Sequence, residues 1–221
     1  MKRVLVIAPH ADDEFIGVGG TILKEISNGN EVYVCIVTKG LPPVFDEKYG
    51  NEIQMEARKC HIQAGVKKTF YLNFPAVMLE EQHRYDINNK LLEVINEIKP
   101  NEVYIPHYGD MQKDHQIVAE ACMVALRPKY ANSPNKIYSY ETLSETGWNF
   151  PSVNNAFIPN RFVDISNYIN DKIRCLECYK SQLSSFPNAR SLDAIIHLAR
   201  FRGALMNVQA AEAFMVIREI D

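Results

Sequence analysis

The hydrophobic and polar positions of the chain follow two periods in turn, which predict alternating strands and helices. Continuously apolar, β-branched runs stand at 4–8 (VLVIA) and 31–38 (EVYVCIVT), as in strands that are buried on both faces. A segment with helical spacing, 21–28, lies between them and stops at Gly29 and Asn30. A strand, a helix and a second strand in this order predict a βαβ unit with parallel strands.

The same alternation continues through the middle of the chain. Helical patterns cover 54–65, 87–98 and 115–126, and short strand-like runs stand at 69–72 (TFYL) and 102–105 (EVYI). Strands that alternate with helices predict an α/β fold: a Rossmann-like, doubly wound, mostly parallel sheet with helices on both faces. In such a sheet, ligands bind at the carboxyl ends of the strands.

The last third of the chain has a different character. Residues 137–166 are rich in Tyr, Ser, Asn, Pro and Phe and predict extra short strands and loops. Helical patterns return at 165–183, 195–202 and 210–214, so we expect C-terminal helices. Because no repeat or linker interrupts the chain, we expect a single domain over residues 1–221.

Composition excludes several classes of protein. The chain has 221 residues, 47% of them hydrophobic, which is sufficient for a core that needs no disulfides. Its 24 Lys and Arg against 27 Asp and Glu give a net charge of −3, which argues against nucleic-acid binding. The apolar run at 4–8 is too short for a signal peptide or a membrane span, and the five cysteines are scattered. We therefore expect a cytoplasmic protein.

Four ionisable side chains follow the first predicted strand. His10, Asp12, Asp13 and Glu14 stand within one turn at the end where a parallel sheet binds ligands. Burial of these charges requires compensation, which a divalent metal supplies, since zinc binds imidazole nitrogen and carboxylate oxygen. On this motif alone, an exposed acidic turn that caps the following helix is an equal alternative.

A second cluster follows the strand at 102–105. His107, Asp110, Asp114 and His115 come in this order before the next predicted helix. Two such clusters, after two strands of one parallel sheet, converge on one point. Histidine and aspartate ligands with a spare carboxylate are the groups that metal-assisted hydrolysis uses, which favours a metal site over an ordinary loop.

These motifs resemble the signature of a known family. The segments HADDE at 10–14 and GVGGT at 17–21 are similar to the signature of the LmbE/PIG-L deacetylases, zinc enzymes that remove N-acetyl groups from glucosamine-type sugars. The resemblance continues in order over nearly the whole chain, through Thr38-Lys39-Gly40, Leu72–Pro75, Asp114-His115, Tyr140-Glu141, Ser144-Glu145 with Trp148, Phe162–Ile165, Arg190-Ser191, Arg202-Gly203 and Ala211-Glu212 with Phe214.

The resemblance implies a site and a reaction. His10, Asp13 and His115 would be the ligands of a zinc ion, although the same ligands accept Fe²⁺ or Co²⁺. Asp12 would be the general base for the zinc-bound water that attacks the amide carbonyl of an N-acetylated amino sugar or sugar conjugate. The implied partner is a small molecule of this kind. Assembly of identical chains also fits the resemblance, since related enzymes often assemble.

Three positions depart from the family pattern. Gln112 replaces the first histidine of the family's H-x-D-H element, which stabilises the oxyanion. Either His107 or Gln112 would take over this role, and we favour His107 because an imidazolium donates a charge-assisted hydrogen bond. The aspartate associated with sugar recognition is replaced by Ala76, and the family's arginine has its nearest match in Arg58. These departures keep a second function open, that of a zinc amidase for a non-sugar N-acyl small molecule.

The remaining residues receive supporting roles. We expect contacts with the substrate from Asp110, Gln112 and Arg58, and support of the metal ligands from Asp114 and Glu14.

Two further interpretations concern glycines and arginines. We expect Arg190 and Arg202 to form an ion pair with Glu212, with binding of an anionic substrate group as the alternative. A nucleotide-binding loop at 17–21 is disfavoured, because it lacks the G-x-G-x-x-G spacing and an acidic cluster precedes it.

Overall fold

A seven-stranded sheet forms the centre of the computed structural model, which describes residues 1–129 and 132–220. The strands are β1 (Arg3–Ala8), β2 (Glu31–Lys39), β3 (Lys68–Pro75), β4 (Glu102–Pro106), β5 (Lys136–Tyr140), β6 (Arg161–Asp164) and β7 (Ala211–Glu219). The helices are α1 (Asp13–Ser27), α2 (Glu47–Ala64), α3 (Arg84–Ile98), α4 (Lys113–Ala125), α5 (Ile169–Leu176) and α6 (Leu192–Ala204), with a 3₁₀ turn at Leu79–Glu81.

The strand order, β3-β2-β1-β4-β5-β7-β6, creates the position of the site. The first five strands are parallel, and β7 pairs antiparallel with both β5 and β6. The predicted doubly wound, mostly parallel sheet is therefore confirmed. The chain runs outward from β1 to β3 and then returns to β4 on the other side of β1. This reversal opens a crevice at the carboxyl ends of β1 and β4, the usual ligand position in such sheets.

Each face of the sheet carries its own apolar core. Val4 and Val6 of β1 belong to a core with residues of α1, α2 and α5, whereas Leu5 and Ile7 belong to a core with residues of α3 and α4. Successive side chains of a strand point to opposite faces. A strand covered on both faces therefore needs the continuous apolar run that β1 has.

The glycine-rich segment is part of α1 and allows close packing. A Cβ atom on Gly17 would lie 2.4 Å from the ring of Tyr140, and one on Gly20 would lie 2.7 Å from the side chain of Ile165. Packing overrides the low helix propensity of glycine, and α1 begins at Asp13, before the start of the predicted helical pattern. These glycines bring α1 against its neighbours, and no nucleotide is needed to explain them.

The predicted helix at 210–214 is wrong, because Ala211–Glu219 forms β7. Alanine and glutamate favour a helix locally, but this segment pairs with β5 on one side and β6 on the other. Phe214 is completely buried there, so tertiary packing decides the conformation. The helical pattern at 165–183 also shortens, to Ile169–Leu176. None of the described helices is long and apolar enough to cross a membrane.

A buried ion pair joins α5 to the C-terminal strand, and its two side chains also form hydrogen bonds with α1. The carboxylate of Glu212 accepts hydrogen bonds from the backbone N–H groups of Gly20 at 2.8 Å and Thr21 at 2.7 Å. Its Oε1 lies 2.7 Å from Nζ of Lys172, which also donates to the carbonyl oxygen of Ile16 at 2.7 Å. The expected pairing of Glu212 with arginine is therefore wrong, and lysine fills that role.

Loss of the lysine should destabilise the fold. We expect Lys172→Met to lower the free energy of unfolding by about 3–5 kcal/mol, because it leaves a buried carboxylate without its cation. The matched control is Lys24→Met, which removes a partly exposed lysine that donates to a carbonyl oxygen at 3.0 Å and should cost no more than about 0.5 kcal/mol. Urea denaturation measures both. Equal, small losses would show that the other hydrogen bonds of Glu212 compensate its charge.

Candidate metal centre

Three metal-ligating side chains meet in the crevice at the carboxyl ends of β1 and β4. His10 follows β1, Asp13 begins α1, and His115 lies in the first turn of α4. One ligand atom of each residue lies within 4.8 Å of the others. Asp13 and His115 are completely buried, whereas the side chain of His10 is 21% exposed. The structure thus brings together the two clusters that follow β1 and β4.

Asp13 is the centre of this group. Its Oδ2 lies 3.3 Å from Nδ1 of His10 and 3.2 Å from Nε2 of His115. Burial would raise the pKa of Asp13, but the two histidines hold it well below its usual range. Burial would likewise lower the pKa of each histidine. Hydrogen bonds to Asp114 and Asp13 instead raise the pKa of His10 to about 9, and the charge of Asp13 with a hydrogen bond to Asp110 raises the pKa of His115 to about 10.

A further carboxylate holds the other ring nitrogen of each histidine. Asp114 Oδ2 lies 3.0 Å from Nε2 of His10, and Asp110 Oδ2 lies 2.8 Å from Nδ1 of His115. Asp114 is itself held by two backbone N–H groups, and Asp110 accepts a hydrogen bond from a threonine hydroxyl. Carboxylates in this position fix the ring orientation of metal-binding histidines. Asp110 is completely buried, so its place is behind His115 and not, as expected, on the substrate.

The donor set fits a divalent metal ion. Oδ1 of Asp13 and Nε2 of His115 are buried without a hydrogen-bond partner, although buried polar atoms nearly always have one. Two imidazoles and one carboxylate, with a position left open, are the ligands of a catalytic zinc site. Among residues 1–129 and 132–220, no other group of three or more His, Cys, Asp and Glu side chains lies close enough together to hold a metal ion. The five cysteines are buried free thiols outside it.

Asp12 lies beside the ligands in an unusual backbone conformation. Its φ of 130° is rare for a residue other than glycine and is held by Glu14, whose Oε2 accepts from the N–H of Asp12 at 3.1 Å. Oδ2 of Asp12 accepts from Nη1 of Arg190 at 3.0 Å, and Oδ1 is buried without a partner. Burial raises the pKa of Asp12 to about 7, against the opposing charge of Arg190. Such a carboxyl can both accept and return a proton at neutral pH.

Glu14 supports the turn of Asp12 rather than a metal ligand. It is completely buried, its Oε1 lies 3.1 Å from Nε2 of His61, and the hydroxyl of Tyr179 donates to the same oxygen. No pattern in the sequence distinguishes His61 from an ordinary core histidine. Its contact with Glu14 depends on how α2 packs against α1, which only the structure shows.

A cavity of about 230 Å³ opens in front of His10. Its walls come from the end of β2, from α2, and from the loops that follow β3 and α5. Gln112 lines it at the start of α4, where its Oε1 accepts from the N–H of His115 at 3.3 Å. The side-chain amide nitrogen of Gln112 lies 3.3 Å from Nε2 of His10, so Gln112 contacts both histidines.

Two residues that the sequence places in the site lie outside this cavity. Arg58 is exposed on α2, with its guanidinium 5.4 Å from the ring centroid of Tyr71, and it does not line the cavity. His107 is buried beneath the loop that follows β5. Its Nε2 lies 3.1 Å from the carbonyl oxygen of Asn155, and its ring packs edge-on against Phe157. These contacts occupy the ring of His107, which does not line the cavity.

Two cavity residues belong to the family resemblance, but the sequence does not predict their place in the site. Arg190 and Glu145 both line the cavity, and Arg190 bonds to Asp12 instead of Glu212. Both residues lie in irregular segments, where no periodicity indicates which way a side chain points. Arg202 forms a two-fold hydrogen bond with Glu141, at 2.9 and 2.7 Å, away from the cavity.

The doubly wound sheet, with a His/Asp/His cluster at the point where its strand order reverses, defines an α/β protein with a group of side chains that could hold a metal ion. The model of the PIG-L family, described as GlcNAc-PI de-N-acetylase, matches residues 5–126, just over half of the chain. The chain therefore belongs to the PIG-L family.

Individual relatives agree with this assignment. The chain is 30% identical over 195 residues to the diacetylchitobiose deacetylase of Thermococcus kodakarensis, covering 82% of this chain and 70% of the relative. The structure is similar to that of N,N'-diacetylchitobiose deacetylase from Pyrococcus horikoshii, with a TM-score of 0.79, 23% identity, and coverage of 98% of this chain and 84% of the other.

The fold alone does not determine the reaction. A TM-score of 0.79 also relates this structure to GalB, the 4-carboxy-2-hydroxymuconate hydratase of Pseudomonas putida KT2440, at 16% identity with coverage of 100% and 98% of the two chains. The function must therefore be argued from the site.

Proposed function

We propose that this protein removes the N-acetyl group from an amino sugar or a sugar conjugate by zinc-dependent hydrolysis. One observation carries the proposal: a His/Asp/His group with unpaired ligand atoms stands at the head of a cavity, with Asp12 beside it. Membership of the PIG-L family supports the reaction, and the activity of the Thermococcus relative on an acetylated amino sugar supports the substrate class.

The proposed metal is zinc, held by His10, Asp13 and His115. When bound, zinc lowers the pKa of water from 15.7 to about 7 and polarises the acyl carbonyl group. The chain supplies the orientation of the ligands, because Asp114 and Asp110 fix the two imidazole rings.

Asp12 moves the protons of the reaction. Its Oδ2 is held by Arg190, which leaves the unpaired Oδ1 to accept a proton from the attacking water. As the bond between the carbonyl carbon and the nitrogen breaks, Asp12 returns this proton to the nitrogen of the departing amine. One amide and one water thus give one carboxylic acid and one amine, and Asp12 regains its initial charge.

The size of the cavity favours a small acylamino substrate. Its volume of about 230 Å³ lies below the roughly 300–1,000 Å³ of pockets for drug-sized ligands. One sugar ring fits such a space, and the rest of a conjugate would lie outside it. A second candidate, a zinc amidase for non-sugar N-acyl compounds, is favoured by the apolar side chains of Phe45, Ile53, Ala76 and Val77 on the same walls.

A substrate panel tests the proposal. The zinc-loaded protein should release free amine from N-acetylglucosamine, from N-acetylgalactosamine or from an N-acetylglucosamine conjugate, and the chelator-stripped protein should release none. N-acetylated amino acids and N-acetyl alkylamines form the second arm. Release from the second arm alone would establish the amidase instead, and release from neither arm by the zinc-loaded protein would refute both functions.

A further inference from the structure

Glu145 is a buried carboxyl on the cavity wall that the proposed reaction does not use. Only 8% of the residue is exposed, and its Oε2 has no hydrogen-bond partner. Its Oε1 accepts from the hydroxyl of Ser144 at 3.3 Å. Burial raises the pKa of Glu145, so keeping an unsatisfied carboxyl at this position costs free energy. The carboxyl group therefore has hydrogen-bonding capacity that its protein neighbours do not use.

Arg190 faces Glu145 from a fixed position. Its Nη1 donates to Asp12 at 3.0 Å and to Gln182 at 3.2 Å, and its Nε donates to Ser144 at 3.2 Å. Its Nη2 lies 4.0 Å from Oε1 of Glu145, beyond the roughly 2.7–3.2 Å of a direct N–H···O hydrogen bond. The three hydrogen bonds on the other nitrogens prevent the guanidinium from closing this gap without losing a partner.

A gap of this size between a donor and an acceptor selects a particular chemical group. An oxygen placed about 2.8 Å from both atoms would accept from the guanidinium and donate to the carboxylate. A hydroxyl group does both at once. An amide N–H cannot accept, and a carboxylate or phosphate oxygen would be repelled by Glu145.

We propose that Glu145 and Arg190 together bind one hydroxyl group of the substrate, and thereby select hydroxylated acylamino compounds over plain N-acyl amines. This inference rests on the proposed function, since it requires the cleaved amide to lie at the metal ligands in front of the same cavity. It deepens that function, because a sugar ring carries hydroxyl groups close to its acylamino group and a simple amide does not. Glu145 is then a residue that determines specificity.

The deoxy analogues of N-acetylglucosamine test the pair. For the zinc-loaded wild-type protein, we expect one of the 3-, 4- and 6-deoxy analogues to lose about 100-fold or more in kcat/KM, because it leaves the gap between Nη2 of Arg190 and Oε1 of Glu145 without its bridging hydroxyl group. In Glu145→Leu, N-acetylglucosamine itself should fall to the level of that analogue, so that the two differ by less than about threefold. Glu145→Gln retains an acceptor oxygen and should restore part of the discrimination. The matched control, Glu120→Leu, removes a glutamate from an exposed ion pair with Arg84 and should leave the ratio unchanged.

The inference is overturned if the wild-type protein cleaves N-acetylglucosamine and all three deoxy analogues equally well. It is also overturned if Glu145→Leu slows every substrate by the same factor. Should Glu145→Leu fail to fold, the wild-type series and Glu145→Gln decide the same question. Failure of the proposed function gives a different result, since no N-acetyl sugar would then release amine from the zinc-loaded wild-type protein.

Discussion

Asp12→Asn should reduce kcat by about 10²- to 10⁴-fold while the purified protein still binds one equivalent of zinc. The amide keeps the shape of the carboxyl group, and its oxygen can still accept a hydrogen bond from Arg190. In the wild-type structure, Oδ2 of Asp12 lies 3.0 Å from Nη1 of Arg190. It cannot accept the proton of the attacking water, because an amide is not a base near neutral pH. Metal content by atomic emission and amine release in single turnover measure the two properties independently.

The control for this variant is Asp164→Asn, which makes the same chemical change at an exposed aspartate that accepts a hydrogen bond from the N–H of Ser166 at 2.9 Å. Its activity should match that of the wild-type protein. Full activity of Asp12→Asn would remove the proposed general base. Loss of zinc in Asp12→Asn would instead place Asp12 among the ligands and change the division of roles between it and Asp13.

His115→Ala should lose both zinc and activity. The side chain is completely buried and lies between Asp13 and Asp110, at 3.2 and 2.8 Å. Removing it takes away one of three ligands and the imidazole that pairs with both Asp13 and Asp110. We expect zinc content to fall from one equivalent to near zero after dialysis, and amine release to fall to background.

Thermal unfolding provides a second measurement of the same variant. Wild-type protein should unfold at a higher temperature when zinc is added, because a ligand that binds only the folded state stabilises it. His115→Ala should lack this increase. The control, His83→Ala, removes an exposed histidine and should retain both zinc and the increase. Stoichiometric zinc in dialysed His115→Ala would show that the metal lies elsewhere.

The position of the site could be predicted from the sequence because it depends on sheet topology. Apolar runs identify β1 and β4, and polar clusters that follow two parallel strands must meet at one edge of the sheet. His10, Asp13 and His115 lie where this rule places them. The rule says nothing of side-chain direction, so it could not show that Asp110 turns behind His115.

The cavity walls could not be predicted, because they come from segments without periodicity. Glu145 and Arg190 lie in irregular stretches that only the packed fold brings together. Local sequence was also misleading for 210–214, where helix-forming residues form the beginning of β7, which pairs with β6 and, from Phe214 onward, with β5. Burial of Phe214 outweighs local propensity there, since propensities differ by less than the free energy of burying an aromatic ring.

The stretch of chain that matches the family model ends at residue 126, and this boundary divides the site. The metal ligands and Asp12 lie before it, whereas Glu145 and Arg190 lie after it. On the roles proposed above, bond cleavage depends on the part of the chain before this boundary, and recognition of the substrate hydroxyl group depends on the part after it. Selection for a new acylamino compound can then act on the second half while the catalytic apparatus of the first stays intact. Substitution of Arg190 is constrained, because the same side chain donates a hydrogen bond to Asp12.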